Sequence, residues 1–418
     1  MRPFQIRITE PDEKLVRFET FADGAVNVCS HSGLSAVEKA VLHQLPKRAA
    51  APSHLLVAGN RTGVTAMCAR FLFPECAVTT HAFDLHHCRA IAKNLKKNGY
   101  PSLFLMDEFA TAYDVDGWTT DEPASLPLRI ACTSQIPAAR SEDGRYDFAV
   151  FTYTPGLMTA ELLLDQLEDI HQNLRVDGKI LLAAETQSDP LFKQLREIFG
   201  NYTVLSLGNK KRPHCILAVK QAELKKPRSF AASFQSSVPG HDPITFQSLP
   251  GVFCHRRPDM GGLALSEVVA KELADLSPNP DGSLQLLDMG CGCGLVGILV
   301  ATAAPITRVA FVDSHARALE ATRRNAEAAG LKDIAVYVLS DTGAPQRGYD
   351  LFVGNPPYYS EYRIADIFLD TAFQILHRKG LCYTVAKTAT ALERRQKEVF
   401  GNVTVLPRRN YAVLRSTR

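Results

Sequence analysis

Short apolar runs alternate with amphipathic stretches along the second half of the chain. The runs LQLLDM, TRVAFVD, IAVYVLS, YDLFVG and GLCYTVA have the length of buried strands and are rich in aliphatic and aromatic residues. Between two of them, SHARALEATRRNAEAAG has apolar residues at helical spacing and stops at Gly330. Strands separated by helices predict a parallel, doubly wound sheet. The closing segments VTVL and YAVLR, separated by PRRN, predict an antiparallel hairpin at its edge.

The same order of segments occurs about 200 residues earlier. LLVAGNRTG and YDFAVFTYTP match LLDMGCGCG and YDLFVGNPPY, and FGNYTVL at Phe199 returns as FGNVTVL at Phe400. Because each copy contains its own strands and helices, the repeat indicates two tandem α/β domains and not a solenoid. We therefore expect an N-terminal domain over residues 1–222, a linker over 223–245 that is rich in Ser, Pro and basic residues, and a C-terminal domain over 246–418.

Composition keeps the chain in the globular class, with 418 residues, 46% of them hydrophobic and 22% charged. No apolar run approaches the roughly 18 residues of a membrane span, and the N-terminal segment lacks the apolar core of a signal peptide. We therefore expect a soluble, cytoplasmic protein. The ten cysteines are scattered without a CxxC pair, which predicts free thiols and no metal site. The net charge of +3 does not by itself indicate a nucleic-acid partner.

A glycine-rich segment, residues 288–294, joins a predicted strand to a predicted helix. Gly290, Gly292 and Gly294 would let a ligand approach the backbone, where exposed N–H groups face it. Together with Gly297 the segment also satisfies the GxGxxG pattern of dinucleotide-binding proteins, so a nicotinamide oxidoreductase stays open at this point. The two cysteines within the segment are small residues that fill tight space.

Carboxylates follow the ends of three successive predicted strands. Asp288, beside the glycines, would repel a pyrophosphate but attract the cationic amino-acid part of S-adenosylmethionine. Asp313 can accept hydrogen bonds from ribose hydroxyls with either cofactor. Asp341 can meet an adenine amino group, or it can serve as a turn residue or helix cap. The set favours S-adenosylmethionine as the cofactor.

The NPPY tetrapeptide, Asn355, Pro356, Pro357 and Tyr358, follows the strand YDLFVG. Its two prolines remove backbone donors, so carbonyl oxygens and the Asn355 side-chain oxygen are left as acceptors for an exocyclic amino group. Such acceptors orient the nitrogen lone pair and stabilise developing positive charge. Tyr358 can stack on a base taken out of its helix. The structural alternative is a rigid turn.

These motifs resemble the amino-methylating class I methyltransferases, which combine a glycine loop with an [N/D]PP[Y/F] tetrapeptide. Within that class, the duplication and the stretch LPGVFCHRRPDMGGLAL are similar to two types of ribosomal RNA guanine-N2 methyltransferase, small subunit methyltransferase C and large subunit methyltransferase G. The resemblance implies that the C-terminal domain binds S-adenosylmethionine and methylates guanine N2 of ribosomal RNA, either free or within an assembled ribosomal subunit. It also implies that Asp259 and Gly261 lie near the cofactor. The chain departs from those families after the tetrapeptide, where it reads YSEYR, so the target nucleotide stays open.

The N-terminal copy lacks the matching chemistry, and the resemblance implies that it holds RNA or the fold. Val57 stands where the second copy has Asp288, and Thr152 stands where it has Asn355. Asp84 survives near the position of Asp313, where an acid without its partners is expected to be a surface residue or a helix cap.

Several basic clusters are candidate RNA contacts, although each is also typical of a solvated surface. They are Lys210, Lys211 and Arg212; Lys225, Lys226 and Arg228; His255, Arg256 and Arg257; and Arg408 and Arg409. Three other functions stay open from the sequence: methylation of adenine N6 or a protein glutamine amide, noncatalytic RNA binding, and nicotinamide-dependent oxidoreduction.

Overall fold

The computed structural model describes residues 4–9, 15–22, 26–29, 34–59, 61–111, 127–155, 158–185, 188–208, 212–274, 282–344, 347–357 and 363–418. The chain divides into two compact units. Unit 1 comprises Met1–Asp107 and Val115–Phe230, and unit 2 comprises Glu108–Asp114 and Ala231–Arg418.

Unit 1 contains a small antiparallel sheet and a large mixed sheet. Its strands are β1 (Phe4–Thr9), β2 (Leu15–Ala22), β3 (Val26–Cys29), β4 (His54–Ala58), β5 (Ala77–Ala82), β6 (Leu103–Met106), β8 (Leu128–Cys132), β9 (Tyr146–Tyr153), β10 (Leu174–Ala184), β11 (Thr203–Ser206) and β12 (His214–Val219). Its helices are α1 (Ala36–Arg48), α2 (Val64–Leu72), α3 (Leu85–Lys97), α4 (Ala160–Asn173) and α5 (Ser188–Phe199). The strand order in the large sheet is β11-β12-β10-β9-β4-β5-β8-β6.

Unit 2 contains a second large sheet and a separate strand pair. Its strands are β7 (Ala110–Thr111), β13 (Ala232–Ser236), β14 (Ile244–Ser248), β15 (Gln285–Met289), β16 (Arg308–Asp313), β17 (Ala335–Leu339), β18 (Tyr349–Gly354), β19 (Leu376–Ala386), β20 (Thr404–Arg408) and β21 (Tyr411–Thr417). Its helices are α6 (Met260–Leu273), α7 (Leu295–Ala303), α8 (Ala316–Ala328), α9 (Arg363–Ile375) and α10 (Thr390–Phe400). The strand order in the large sheet is β20-β21-β19-β18-β15-β16-β17-β7.

The two large sheets have the same plan. In each, two antiparallel strands at one edge are followed by parallel strands, several of which are joined through helices. The predicted fold class, two tandem Rossmann-like α/β domains with an antiparallel closing hairpin, is confirmed. In unit 2 that hairpin turns at Arg409 and Asn410, which have φ of 50° and 61°. Two consecutive left-handed residues are typical of the tight turn that suits twisted strands.

Burial explains why the apolar runs form these strands. In β15, β16 and β18 nearly every residue between the ends is buried, as expected for parallel strands covered by helices on both faces. Helix α9 covers one face with Phe368 and Leu369, which pack in a cluster with Leu287 and Phe352. Fully burying side chains of this size stabilises the fold by about 1.5–3 kcal/mol each.

Part of the expected linker is regular structure. Strands β13 and β14 pair as antiparallel neighbours, and the rings of Phe234 and Phe246 stack with centroids 5.7 Å apart. Asn325 in α8 binds β14 through two hydrogen bonds. Its Oδ1 accepts from the Gln247 amide and its Nδ2 donates to the Gln247 carbonyl, each at 2.8 Å. Because both strands are short and largely polar, their sequence resembled a linker, whereas the contacts make them part of unit 2.

Candidate active site

The candidate residues of unit 2 meet at the carboxyl ends of neighbouring strands. Strand β15 lies between β16 and β18, and Met289 at its end is opposite Val312 and Gly354. The chain runs outward from β15 through β16 and β17 and then returns to the other side of β15 as β18. In doubly wound sheets this reversal opens a crevice outside the strand ends, where ligands bind.

The glycine loop, residues 290–294, begins at this crevice. Gly290, Gly292 and Gly294 have φ of 68°, 59° and 82°, a region that other residues rarely adopt. The Gly290 amide donates to the Val312 carbonyl at 2.8 Å, which ties the loop to β16. A Cβ atom at Gly290 would lie 2.7 Å from the Phe368 ring, whereas one at Gly292 would meet nothing within 4 Å. The loop is thus packed at Gly290 and has open space at Gly292.

Asp288 lies beneath the glycine loop and is only 2% exposed. Its Oδ2 accepts a hydrogen bond from the Gly297 amide of α7 at 2.8 Å. Burial raises the pKa of the Asp288 carboxyl to about 7, with a smaller contribution in the same direction from the charge of Asp313, while the Gly297 hydrogen bond opposes the shift. A Cβ atom at Gly297 would come within 2.8 Å of the same oxygen. In the structure, therefore, Asp288 supports the start of α7.

Asp313 ends β16 and is half-buried beside the loop. Its Oδ2 accepts from the Gly292 amide at 2.9 Å, and its Oδ1 accepts from the His315 amide at the same distance. The Ser340 amide donates to the Asp313 carbonyl at 2.9 Å, which brings the end of β17 alongside. Asp341 follows directly and is half-buried. Asp288, Asp313 and Asp341 therefore lie at or next to the carboxyl ends of three neighbouring strands, β15, β16 and β17.

Asn355, Pro356 and Pro357 leave the end of β18, and Tyr358 lies outside the described residues. The Asn355 Nδ2 donates to Oδ2 of Asp259 at 2.6 Å. The sequence placed Asp259 near the cofactor by resemblance, but it did not indicate this contact with the tetrapeptide. In the sequence, Asp259 indicates only the N-cap of a helix, so nothing nearby predicts its contact with Asn355.

The basic clusters differ in their surroundings. Arg408 and Arg409 both donate to the carboxylate of Glu267, whose side chain is 2% exposed. Arg228 similarly pairs with the buried Glu168. Lys225 and Lys226 are exposed, and Lys210 and Lys211 lie outside the described residues. His255, Arg256 and Arg257 occupy the turn that leads into Asp259, next to Phe253, which is 69% exposed.

The corresponding place in unit 1 is built differently. Thr152, at the position of Asn355, donates from Oγ1 to the Gly59 carbonyl at 2.8 Å. A Cβ atom at Gly59 would lie 2.2 Å from the Thr152 carbonyl oxygen. Behind the loop, Thr62 donates to the buried carboxylate of Glu38 at 2.6 Å. Burial raises the pKa of Glu38 above its usual range. Hydrogen bonds within the chain thus close this loop onto its own strand end and helix.

Two further features concern the part of the chain that the structure describes. It contains no group of three or more His, Cys, Asp and Glu side chains arranged to hold a metal ion. None of its helices is long and apolar enough to cross a membrane.

Comparison with known proteins extends this picture. Residues 243–415 match the family model described as the methyltransferase small domain. Ribosomal RNA small subunit methyltransferase C of Vibrio parahaemolyticus is 31% identical over 41% of this chain, and this chain spans only 48% of that relative. Ribosomal RNA large subunit methyltransferase G of Pseudomonas aeruginosa is 26% identical over 76% of this chain and 77% of its own length.

A solved structure extends the likeness to the whole fold. The 16S rRNA N2 guanine methyltransferase of T. thermophilus, in complex with AdoMet and guanosine, aligns with 99% of this chain and 98% of its own, at 19% identity and a TM-score of 0.68. At that identity the likeness concerns the fold. Residues 243–415 therefore resemble the methyltransferase small domain, and the chain resembles the ribosomal RNA methyltransferases C and G, as its motifs indicated.

Proposed function

We propose that this chain is an S-adenosylmethionine-dependent methyltransferase that methylates the exocyclic N2 amine of guanine in ribosomal RNA. The observation that carries the proposal is the convergence of the glycine loop, Asp313 and Asn355 at the switch point of the unit 2 sheet. The names of the relatives and the guanosine bound in the T. thermophilus structure support the substrate class.

The charge of the loop fits S-adenosylmethionine better than a dinucleotide. Asp313 contacts the loop backbone, and Asp288 lies directly below. The charge of Asp313 favours a cationic ligand and opposes a pyrophosphate, and Asp288 adds to this only to the extent that its carboxyl, whose pKa is about 7, is ionised. Open space at Gly292, beside the Asp313 carboxylate, provides room for the ligand. We infer that Asp313 would hold the ribose, Asp341 the adenine end, and residues 290–294 the body of the cofactor.

Bound S-adenosylmethionine would supply an activated methyl group. The chain's own task is to position the amine. An oxygen acceptor at Asn355 and backbone carbonyls of a segment that lacks N–H donors at Pro356 and Pro357 would hold the amine hydrogens and direct the nitrogen lone pair. The same acceptors stabilise positive charge on the nitrogen as the bond forms.

The turn before α6 is the RNA contact that we favour among the candidate clusters. It leads directly into Asp259, which touches Asn355. Arg256 and Arg257 are exposed there, and Phe253 presents most of its ring to solvent. Arginine side chains suit a phosphate backbone, and an exposed aromatic ring suits a base that has left its stack. Arg408 and Arg409 donate to the buried carboxylate of Glu267.

Two substitutions test the assignment. Asn355→Ala should lower kcat by roughly a hundredfold or more, about 3 kcal/mol in the transition state, with cofactor affinity nearly unchanged. Asp313→Ala should mainly weaken cofactor binding, because a lost ribose contact is felt before chemistry begins. The assay is methyl transfer to total RNA, DNA and protein, followed by nucleoside and amino-acid analysis.

The product identifies the substrate. Methylguanosine labelled at N2 supports the proposal, whereas methyladenosine or methylglutamine would assign the site to another amine. Near-normal turnover in folded Asn355→Ala at saturating cofactor would reduce the tetrapeptide to a rigid turn. Binding of a nicotinamide dinucleotide in place of S-adenosylmethionine would also refute the proposal.

A further inference from the structure

A hydrogen bond joins Asp259 to Asn355, which lie 96 residues apart in the chain. Asp259 is the N-cap of α6, and its Oδ2 accepts from the Gly262 amide at 2.7 Å as well as from Asn355 Nδ2 at 2.6 Å. Its Oδ1 accepts from the Gly261 amide at 3.3 Å. One carboxylate therefore both begins the helix and holds the first residue of the tetrapeptide.

The chemistry of the two groups fixes the orientation of the asparagine. A side-chain amide has a donor end and an acceptor end, which differ only in which atom is nitrogen and which is oxygen. The Asp259 Oδ2 accepts from the Gly262 amide and from Asn355 Nδ2, so the amide nitrogen of Asn355 faces Asp259. The Asn355 oxygen then lies on the other side of the amide. That oxygen is the end that an amine substrate requires.

The residues around Asp259 hold its hydrogen bond to Asn355 in place. A Cβ atom at Gly261 would lie 3.4 Å from Asn355 Nδ2, and one at Gly262 would lie 3.0 Å from the Asp259 carboxylate. A side chain at Gly262 would therefore crowd the Asp259 carboxylate, whereas a Cβ atom at Gly261 would meet Asn355 in ordinary van der Waals contact. Further along the helix, the buried Glu267 binds Arg409 of the closing hairpin at 2.5 Å. Helix α6 is thus anchored to the sheet that carries Asn355.

We propose that Asp259 is a positioning residue that fixes the Asn355 amide with its oxygen toward the substrate amine. The proposal rests on the proposed function of the tetrapeptide. In this role Asp259 acts through Asn355 and does not itself hold the cofactor. Loss of Asp259 should accordingly reduce kcat and leave the affinity for S-adenosylmethionine in place.

Two replacements separate this role from helix capping. Asp259→Ser keeps a good N-cap, but its shorter side chain cannot reach Asn355. We expect kcat to fall at least about tenfold, with the cofactor Kd and the RNA KM within about twofold. Asp259→Asn keeps an oxygen acceptor of the same reach and should retain kcat within about threefold. Asp84→Ser, the same change at the N-cap of α3, is the matched control and should leave kcat unchanged.

A reciprocal exchange gives the sharpest test. Asn355→Asp places two carboxylates in contact, and their repulsion should lower kcat strongly. Combining Asn355→Asp with Asp259→Asn removes the facing pair of charges and lets the new amide donate to the new carboxylate, which again turns an oxygen toward the substrate, although the same atom position then no longer accepts from the Gly262 amide. The double variant should therefore recover at least about tenfold of the activity lost in Asn355→Asp alone.

The contact itself is tested without turnover. A cycle of Asp259→Ser, Asn355→Ala and the double variant, followed by urea unfolding of the ligand-free chain, should give non-additive shifts of the midpoint. Additive shifts would overturn the contact. Non-additive shifts together with full kcat in Asp259→Ser would overturn the positioning role. Failure of the wild-type chain to methylate any amine refutes the proposed function instead, and that result is distinct from both.

Discussion

Asp288→Asn should make the stability of the chain much less dependent on pH. The wild-type carboxyl is 2% exposed and has a folded pKa of about 7, against 3.8 for an unperturbed aspartate. Because the folded pKa is raised, the protonated Asp288 carboxyl contributes stability that is fully present below about pH 4. This contribution is lost progressively between about pH 4 and pH 7. The difference of about 3 units corresponds to at most about 4 kcal/mol, at 1.36 kcal/mol per unit. The asparagine does not titrate, and its oxygen can still accept from the Gly297 amide.

The measurement is the free energy of unfolding in urea at pH 5, 6, 7 and 8 for both chains. Because pH 5 to 7 covers about two pH units of the interval between the unfolded and folded pKa, we expect the wild-type value to fall by about 2.7 kcal/mol more than the value for Asp288→Asn, with most of this difference complete by pH 7. All other titrating groups are common to both chains, so their contribution cancels in the difference. Parallel curves across this range would refute the reasoning, because they would mean that Asp288 is ionised in the fold without penalty.

Three further predictions concern other parts of the chain. Glu267→Ala removes the buried acceptor of two hairpin arginines and should lower the free energy of unfolding by about 1–3 kcal/mol in urea titrations; Glu398→Ala, which removes exposed pairs, should change it by less than about 1 kcal/mol. Calorimetry should give one S-adenosylmethionine site per chain, and two equivalent sites would contradict the assignment of unit 1 as noncatalytic. Phe253→Ser should raise the RNA KM several-fold with kcat and cofactor Kd preserved, if the exposed ring stacks on a base; an unchanged KM would remove Phe253 from the RNA contact.

The sheet plan was predictable from the sequence because its signals are local. Runs such as LQLLDM and TRVAFVD are apolar on both faces, which suits only strands covered by helices on both sides. Gly330 ends the helical pattern and has φ of 77° after α8. The glycine loop was predictable for the same reason, because three glycines between a strand and a helix allow the left-handed φ angles that other residues rarely adopt.

Other features were hidden because they depend on distant contacts. Strand β7 has two residues, Ala110–Thr111, and pairs with β17, which lies more than 200 residues away. The polar strands β13 and β14 gain their partners only when α8 is in place. The bond from Asn355 to Asp259 spans 96 residues, and neither residue type indicates its partner. Hydrophobic periodicity contains no information about such pairs.

The duplication within the chain separates residues that the fold needs from residues that a site needs. Val57 in unit 1 and Asp288 in unit 2 occupy the same place in their sheets, each between two parallel neighbours. Val57 fills this buried position with an apolar side chain. Asp288 is buried there as well, and burial raises the pKa of its carboxyl because the charged form is disfavoured. Since the same strand order forms with either residue, folding alone does not explain the carboxyl. A local departure from the most stable choice is expected at functional sites, and here it coincides with the glycine loop and Asp313.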